Sequence, residues 1–222
     1  MRPIFRTAMT ALLLAAGTMA AAAQTNLRIG LAEDPDALDP TTARTYVGRI
    51  VFASICDKLF DIDDKLNVVP QLALSHETSA DGKAVTIKLR PGVKFHDGEA
   101  MDAEAVKFSL DRHMTMQGSF RRPELSVVDK VVVVDPLTVR LDLKSPFAPL
   151  IAQLTDRSGM MVSPKAAREA GDRFGQKPIC AGPYQFVERV QQDRIVVQKF
   201  ADYWDKDNVH IDRITYLPVS YT

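Results

Sequence analysis

Pairs of turn-forming residues recur along the chain and separate short runs of apolar residues. Asp81-Gly82 and Asp135-Pro136 are two such pairs, and each combines residues that favour tight turns. In residues 84–89 apolar side chains alternate with polar ones, which is the period of a β-strand that buries one face. The pattern therefore predicts antiparallel hairpins as a main unit of the fold.

Alternating or continuous apolar runs predict strands along the whole chain. These strands are expected at residues 26–31, 59–62, 74–78, 84–89, 127–134, 137–143, 184–190, 195–199 and 211–217. The segments between 59 and 89 together predict a small β-rich unit.

Three helices are predicted between the strands. The first covers 45–58, with Thr45 as a candidate cap, and the second begins after the capping residue Asp102 and ends near residue 116. The third begins at Ser163-Pro164 and ends before Gly171. Strands and helices together predict an α+β (mixed α/β) fold, and the chain shows no internal repeat.

The charges of the chain are balanced. The chain has twenty-eight Lys and Arg residues and twenty-eight Asp and Glu residues, so the formal net charge is zero. Because there is no broad basic field, we expect no nucleic-acid partner and no direct binding to an anionic membrane surface. Hydrophobic residues make up 46% of the chain, which is enough to build a core and excludes disorder.

The N-terminus has the pattern of a secretory signal peptide. Arg2 and Arg6 precede an acid-free run of small and apolar residues at 7–19, and three alanines at 21–23 follow it. We predict a cleavable signal peptide at 1–23 and a periplasmic location, with an N-terminal membrane anchor as the alternative. No cysteine stands at the cleavage site, which argues against a lipoprotein.

The chain has two cysteines, Cys56 and Cys180. An even number of cysteines in a chain destined for an oxidising compartment is compatible with one long-range disulfide. Two buried thiols that pack as small apolar side chains are the alternative.

The chain lacks the motifs of common enzyme classes. No G-x-S-x-G, G-x-x-x-x-G-K-[ST] or H-E-x-x-H sequence occurs. The histidines, which could serve in metal binding or catalysis, are scattered without ligand spacing at His76, His96, His113 and His210. We therefore expect no catalytic residue, no metal site and no cofactor.

Several longer motifs carry a resemblance to a known family. Residues 89–99 read LRPGVKFHDGE, and residues 102–110 read DAEAVKFSL. Shorter matches follow in register at 38–40, 57–60, 162–166, 181–186 and 202–204. The chain resembles the peptide/nickel family, family 5, of ABC-transporter periplasmic solute-binding proteins, of the dipeptide- or oligopeptide-binding type.

The resemblance implies a specific domain organisation. It implies a lobe like that of class II periplasmic binding proteins, in which 24–57 and 166–222 belong to a first domain and 58–165 form an inserted, β-rich small domain. Members of the family are more than twice as long, so the resemblance also implies an N-terminal fragment in which the C-terminal lobe is absent. Both cysteines fall near the core of the first domain of this family, which favours their pairing.

The resemblance also implies where a solute binds. The cleft wall would be formed by the segment after residue 40, the loop after the second helix and the loop before residue 160. These segments contain the candidate ligand-binding residues Arg44, Tyr46, Arg49, Phe120, Arg121 and Arg157, together with Arg122. Arginine can hold a carboxylate with two hydrogen bonds, and we expect Arg157 to contact an anionic part of the solute. A solvated charge or a structural ion pair is the alternative for each arginine.

The expected function is solute capture in the periplasm for an ABC importer, with delivery to a membrane permease that separate ATPase subunits drive. The solute would be a peptide or a similar small molecule, and contact with the membrane would occur only through the permease. The alternatives are a periplasmic hydrolase and a peptide-holding chaperone. Tyr184 and Trp204 are interpreted as packing residues rather than solute contacts.

Overall fold

The computed structural model describes residues 24–219. The predicted signal peptide at 1–23 lies outside the described residues. Within 24–219, no helix combines the length and the apolar character needed to cross a membrane.

The described chain alternates strands with short helices. The strands are β1 (Asn26–Leu31), β2 (Phe60–Ile62), β3 (Val68–Pro70), β4 (Ala73–Thr78), β5 (Ala84–Leu89), β6 (Val128–Asp135), β7 (Thr138–Leu143), β8 (Tyr184–Val190), β9 (Arg194–Lys199) and β10 (Arg213–Pro218). The α-helices are α1 (Tyr46–Ile55), α2 (Ala103–Thr115), α3 (Leu150–Gln153) and α4 (Pro164–Ala170). Short 3₁₀ helices cover Arg157–Gly159, Gly171–Gln176 and Lys206–Asn208.

Two four-stranded sheets form the framework. The first sheet has the order β1-β10-β9-β8, in which β1 runs parallel to β10 and the other pairs are antiparallel. The second sheet has the order β4-β5-β7-β6 and is antiparallel throughout. Strands β2 and β3 form a separate hairpin. The first described strand thus pairs with the last, which brings the two ends of the described chain together.

Each sheet has its own hydrophobic core. The first core lies on the first sheet and α1, and its buried members include Leu31, Leu38, Val51, Phe52, Ile55, Phe174, Ile195, Val197, Ile214 and Tyr216. The second core lies on the second sheet and α2, and its members include Leu72, Val85, Ile87, Leu89, Phe95, Val106, Leu110, Val131, Val139 and Leu141. The cores meet at 160–162. The domain division at 57/58 and 165/166 stays a prediction.

Helix ends follow the local sequence in two of the three predicted helices. The Asp102 side chain accepts a hydrogen bond from the Ala105 backbone at 2.9 Å, and the Ser163 side chain accepts one from Ala166 at 3.1 Å. Gly171 ends α4 with a φ of 55°. Thr45 differs, because its side chain does not cap α1 and its hydroxyl donates to Asp36 instead.

Helix α1 ends at Ile55, three residues before the predicted end. Cys56 has extended backbone angles, and the structure joins its sulfur to that of Cys180 with 4.9 Å between the Cα atoms. Gly182 packs directly on this helix end: a Cβ atom there would lie 2.4 Å from the Ile55 carbonyl oxygen. Tertiary contact with the 180–182 segment therefore sets the end of α1.

Candidate functional site

The loop between β1 and α1 is shaped by Asp36. Its carboxylate accepts hydrogen bonds from the backbone N–H groups of Arg44 (3.0 Å) and Thr45 (3.3 Å) and from the Thr45 hydroxyl (3.0 Å). Burial opposes ionisation, but these hydrogen bonds hold the pKa of Asp36 below its usual value. Arg44 at the end of the loop and Tyr46 at the start of α1 are exposed to solvent.

Two arginine–aromatic pairs lie at the end of this loop. The Arg44 guanidinium carbon lies 5.0 Å from the centroid of the Phe120 ring, and that of Arg49 lies 5.6 Å from the Tyr46 ring. Tyr46 is 72% exposed and Phe120 is 44% exposed. We call these four residues the arginine–aromatic surface. The loop before Met160 contacts this surface, because Asp156 accepts a 2.5 Å hydrogen bond from Arg49.

Arg121 and Arg157 lie beneath this surface rather than on it. Arg121 is 3% exposed and Arg157 is 5% exposed. Both donate to the backbone carbonyl of Ala43, at 3.3 and 3.0 Å, and Arg157 also reaches the carbonyl of Thr45 at 3.4 Å. Arg121 further pairs with Glu124 at 2.6 Å. Burial, followed by the nearby charge of Arg121, lowers the pKa of Arg157.

The structure thus brings all six candidate residues to one region but gives them different positions. Four present their side chains to solvent, and two hold the backbone of residues 43–45. Arg122 instead caps the C-terminal end of α2, because its guanidinium donates to the carbonyls of Met114, Thr115 and Met116. Direct contact between any of these residues and a solute stays a prediction.

A buried polar cluster supports the same loop from the other side. Arg112 and Asp39 form a two-pronged ion pair with distances of 2.9 and 2.6 Å. Thr41 accepts from Arg112 and lies 2.9 Å from Nδ1 of His113, whose Nε2 lies 3.0 Å from the Met160 carbonyl. Burial lowers the pKa of His113 to about 4, so the ring is neutral at neutral pH. Sequence reasoning missed this cluster, although Asp39 belongs to the matched 38–40 motif.

His96 plays a comparable part at the disulfide. Its Nε2 lies 3.0 Å from the Gly182 carbonyl, and its Nδ1 accepts from the Cys180 backbone at 3.4 Å. Burial lowers the pKa of this ring to about 4 as well. Both histidines, His113 buried and His96 partly buried, therefore satisfy backbone groups, and no group of three or more metal-ligating side chains occurs within 24–219.

Comparison with known proteins identifies the family. The family model for bacterial extracellular solute-binding proteins, family 5 (middle region), matches residues 67–222. The chain belongs to this family. The family predicted from the motifs is therefore confirmed.

Family-5 relatives match almost the whole chain. The glutathione-binding protein GsiB of Escherichia coli O6:K15:H31 is 34% identical over 222 residues, which is 99% of this chain and 43% of the relative. GsiB of Pectobacterium atrosepticum is 39% identical over 183 residues, covering 82% of this chain and 36% of the relative. The chain thus spans about two-fifths of the length of the curated relatives that it matches.

The solved structure of a periplasmic binding protein shows the same fold. The periplasmic binding protein AgaA of A. tumefaciens R10, in complex with agropinic acid, superposes with a TM-score of 0.79 at 32% identity. The match covers 87% of this chain and 40% of AgaA. The predicted α+β class and the likeness to a periplasmic binding protein lobe are therefore confirmed.

Proposed function

We propose that this protein is the solute-binding component of an ABC importer. It captures a peptide or a similar small solute in the periplasm and delivers it to a membrane permease, which separate ATPase subunits drive. The observation that carries the proposal is the family-5 match over residues 67–222, together with relatives that are named for binding rather than for catalysis. The signal-peptide pattern at 1–23 supports export.

The arginine–aromatic surface is the proposed site of contact with the solute. Arg44 and Arg49 can each donate two hydrogen bonds to a carboxylate, while Tyr46 and Phe120 offer apolar area to a peptide backbone or side chain. Arg49 is already paired with Asp156, so a solute carboxylate would compete with that exposed ion pair, which is worth little in water. Glutathione, which has two carboxylates and two amide groups, fits this chemistry and is the first solute to test.

The experiment is a binding assay that detects weak affinity. Protein exported to a bacterial periplasm is purified without denaturation, and an unrelated periplasmic protein serves as the negative control. Saturation-transfer NMR with glutathione and dipeptides then measures even millimolar binding. We expect Arg49→Ala to reduce the transfer signal, whereas Arg173→Ala, at an exposed arginine on the 171–176 helix, leaves it unchanged.

The same material separates the alternatives. A binding protein returns the solute chemically unchanged after prolonged incubation. Cleaved peptides would instead indicate the hydrolase, and suppression of aggregation of an unfolded client without saturable solute binding would indicate the chaperone. Either result would contradict the proposed import function.

A further inference from the structure

Asp57 is a buried carboxylate at the point where the chain passes from α1 to the second core. The residue is 2% exposed. Lys58, whose charge acts on Asp57, pairs with Asp61 at 2.5 Å, and the Arg90 guanidinium stacks over the Trp204 ring at 3.8 Å. Asp57 has no ion-pair partner among residues 24–219.

The hydrogen bonds of Asp57 join the two cores. Its Oδ2 accepts from the Tyr203 hydroxyl at 2.9 Å and from Trp204 Nε1 at 2.8 Å. Its Oδ1 accepts from the Gln71 side chain at 3.3 Å. Tyr203 belongs to the first core, Trp204 packs against both, and Gln71 leads into β4 of the second sheet. One carboxyl group therefore links residues from both sides of the junction.

The neutral acid can keep a hydrogen bond to each of its three neighbours, with the direction of the bond to Tyr203 reversed. The Tyr203 hydroxyl can accept as well as donate, so a proton on Oδ2 can turn towards it while Trp204 and Gln71 continue to donate. The ionised form keeps the same bonds but places a full charge in a buried site without a cation, which costs free energy.

The charged and titratable groups around Asp57 do not reverse the preference for the neutral carboxyl group. Burial raises the pKa of Asp57 to about 7, hydrogen bonds from Trp204 and Tyr203 oppose the rise, and Lys58 and Asp61 act in opposite directions. Burial and the nearby Asp57 raise the pKa of Tyr203, so the phenol stays protonated at neutral pH. Arg90 and Asp205 act on Tyr203, again with opposite signs.

We propose that Asp57 is a proton-dependent latch between the two cores, which is closed when the carboxyl group is neutral and loosened when it ionises. The direction follows from linkage: the closed latch binds the proton more tightly than a solvated carboxyl, so protonation favours the closed form. Contact between the cores therefore weakens as the pH rises from the pKa of a solvated carboxyl to that of the closed form, and changes little at higher pH. This inference does not depend on which solute the protein binds.

Trp204 allows a direct test, because it is the only tryptophan of the chain. The indole N–H resonance and the fluorescence of the intact 222-residue chain are followed from pH 5.5 to 8.5. We expect one titration with a midpoint near 7. Hydrogen-exchange protection factors, which correct for the intrinsic effect of pH, should fall around residues 55–59 and 200–204 as the pH rises towards that midpoint, and should stay level above it. A constant indole signal or constant protection in the folded chain overturns the latch.

Two variants assign the titration. Asp57→Asn cannot ionise and retains all four histidines, so the transition should disappear in this variant. Asp202→Asn is the matched control, because Asp202 lies two residues from Trp204 but is exposed and pairs with Lys94 at 3.0 Å. This control should keep the transition. A transition that persists in Asp57→Asn overturns the assignment, and the measurements on the unmodified chain remain decisive if that variant does not fold.

Discussion

Arg157 is a buried cation whose main partners are backbone carbonyl oxygens. It joins the loop before Met160 to Ala43, 114 residues earlier in the chain, while Arg121 donates to the same carbonyl from the loop after α2. The family resemblance indicated that these arginines lie near the cleft, but their burial depends on contacts distant in sequence. Since arginine is usually exposed, no local pattern distinguishes a supporting arginine from one that faces solute.

Replacement of Arg157 should therefore cost stability. Arg157→Ala leaves the Ala43 and Thr45 carbonyls without this donor and opens space beneath the loop, so we expect a loss of about 1–3 kcal/mol in the free energy of unfolding. Urea unfolding measures it. Arg173→Ala, at an exposed position, should stay within about 0.5 kcal/mol of the wild type. Equal stability of the two variants would show that Arg157 does not support the loop.

His113 should make the fold sensitive to acid. Its pKa is lowered to about 4 by burial, against 6.5 when solvated, so between these values the unfolded chain binds the proton that the folded chain excludes. Stability from this group is present above pH 6.5 and is lost as the pH falls towards 4, by on the order of 3 kcal/mol. Urea unfolding at pH 7 and 4.5 measures the loss.

Asp57 changes the free energy of unfolding in the opposite direction over part of the same pH range, because its pKa is raised. The contribution of His113 is therefore obtained by comparing how steeply the free energy of unfolding changes with pH in the wild type and in His113→Gln. We expect the slope of the variant to be shallower. Identical slopes would mean that the buried ring does not resist protonation.

At the scale of elements, the alternation of apolar and polar residues in the sequence predicted several strands accurately. Strands β1, β5 and β8 have the predicted bounds, and α4 lies between its predicted cap and glycine. Strand β3 was missed because it has only three residues and ends in proline, and α3 was missed because one turn of helix shows no periodicity. The early end of α1 depends on the distant 180–182 segment, which local patterns cannot reveal.

The link between Cys56 and Cys180 ties that segment to α1 across 124 residues. Mass spectrometry of non-reduced peptides should find the two cysteines joined in protein from the periplasm. Reduction should lower the free energy of unfolding by about 4–5 kcal/mol, because a long loop is no longer restrained in the unfolded chain. Two freely alkylated thiols in folded periplasmic protein would contradict the pairing.

At the scale of the whole molecule, the arginine–aromatic surface is open. Tyr46 and Phe120 retain large exposed areas, and five grooves within residues 24–219 are lined by residues other than these four. Affinity for small solutes generally comes from enclosing them on several sides, since contacts on an open face leave most of the ligand in water. We therefore propose that the arginine–aromatic surface contacts a solute from one side only.

Residues 24–222 alone should consequently bind a peptide-like solute weakly. We expect a dissociation constant for glutathione weaker than about 0.1 mM, which corresponds to less than about 5.5 kcal/mol of binding free energy. A saturation-transfer titration of the folded chain measures it, and Arg49→Ala should weaken the signal further if the exposed guanidinium contacts the solute. Submicromolar binding by these residues would contradict the prediction, because an affinity of that size requires an enclosed site that the open arginine–aromatic surface does not provide.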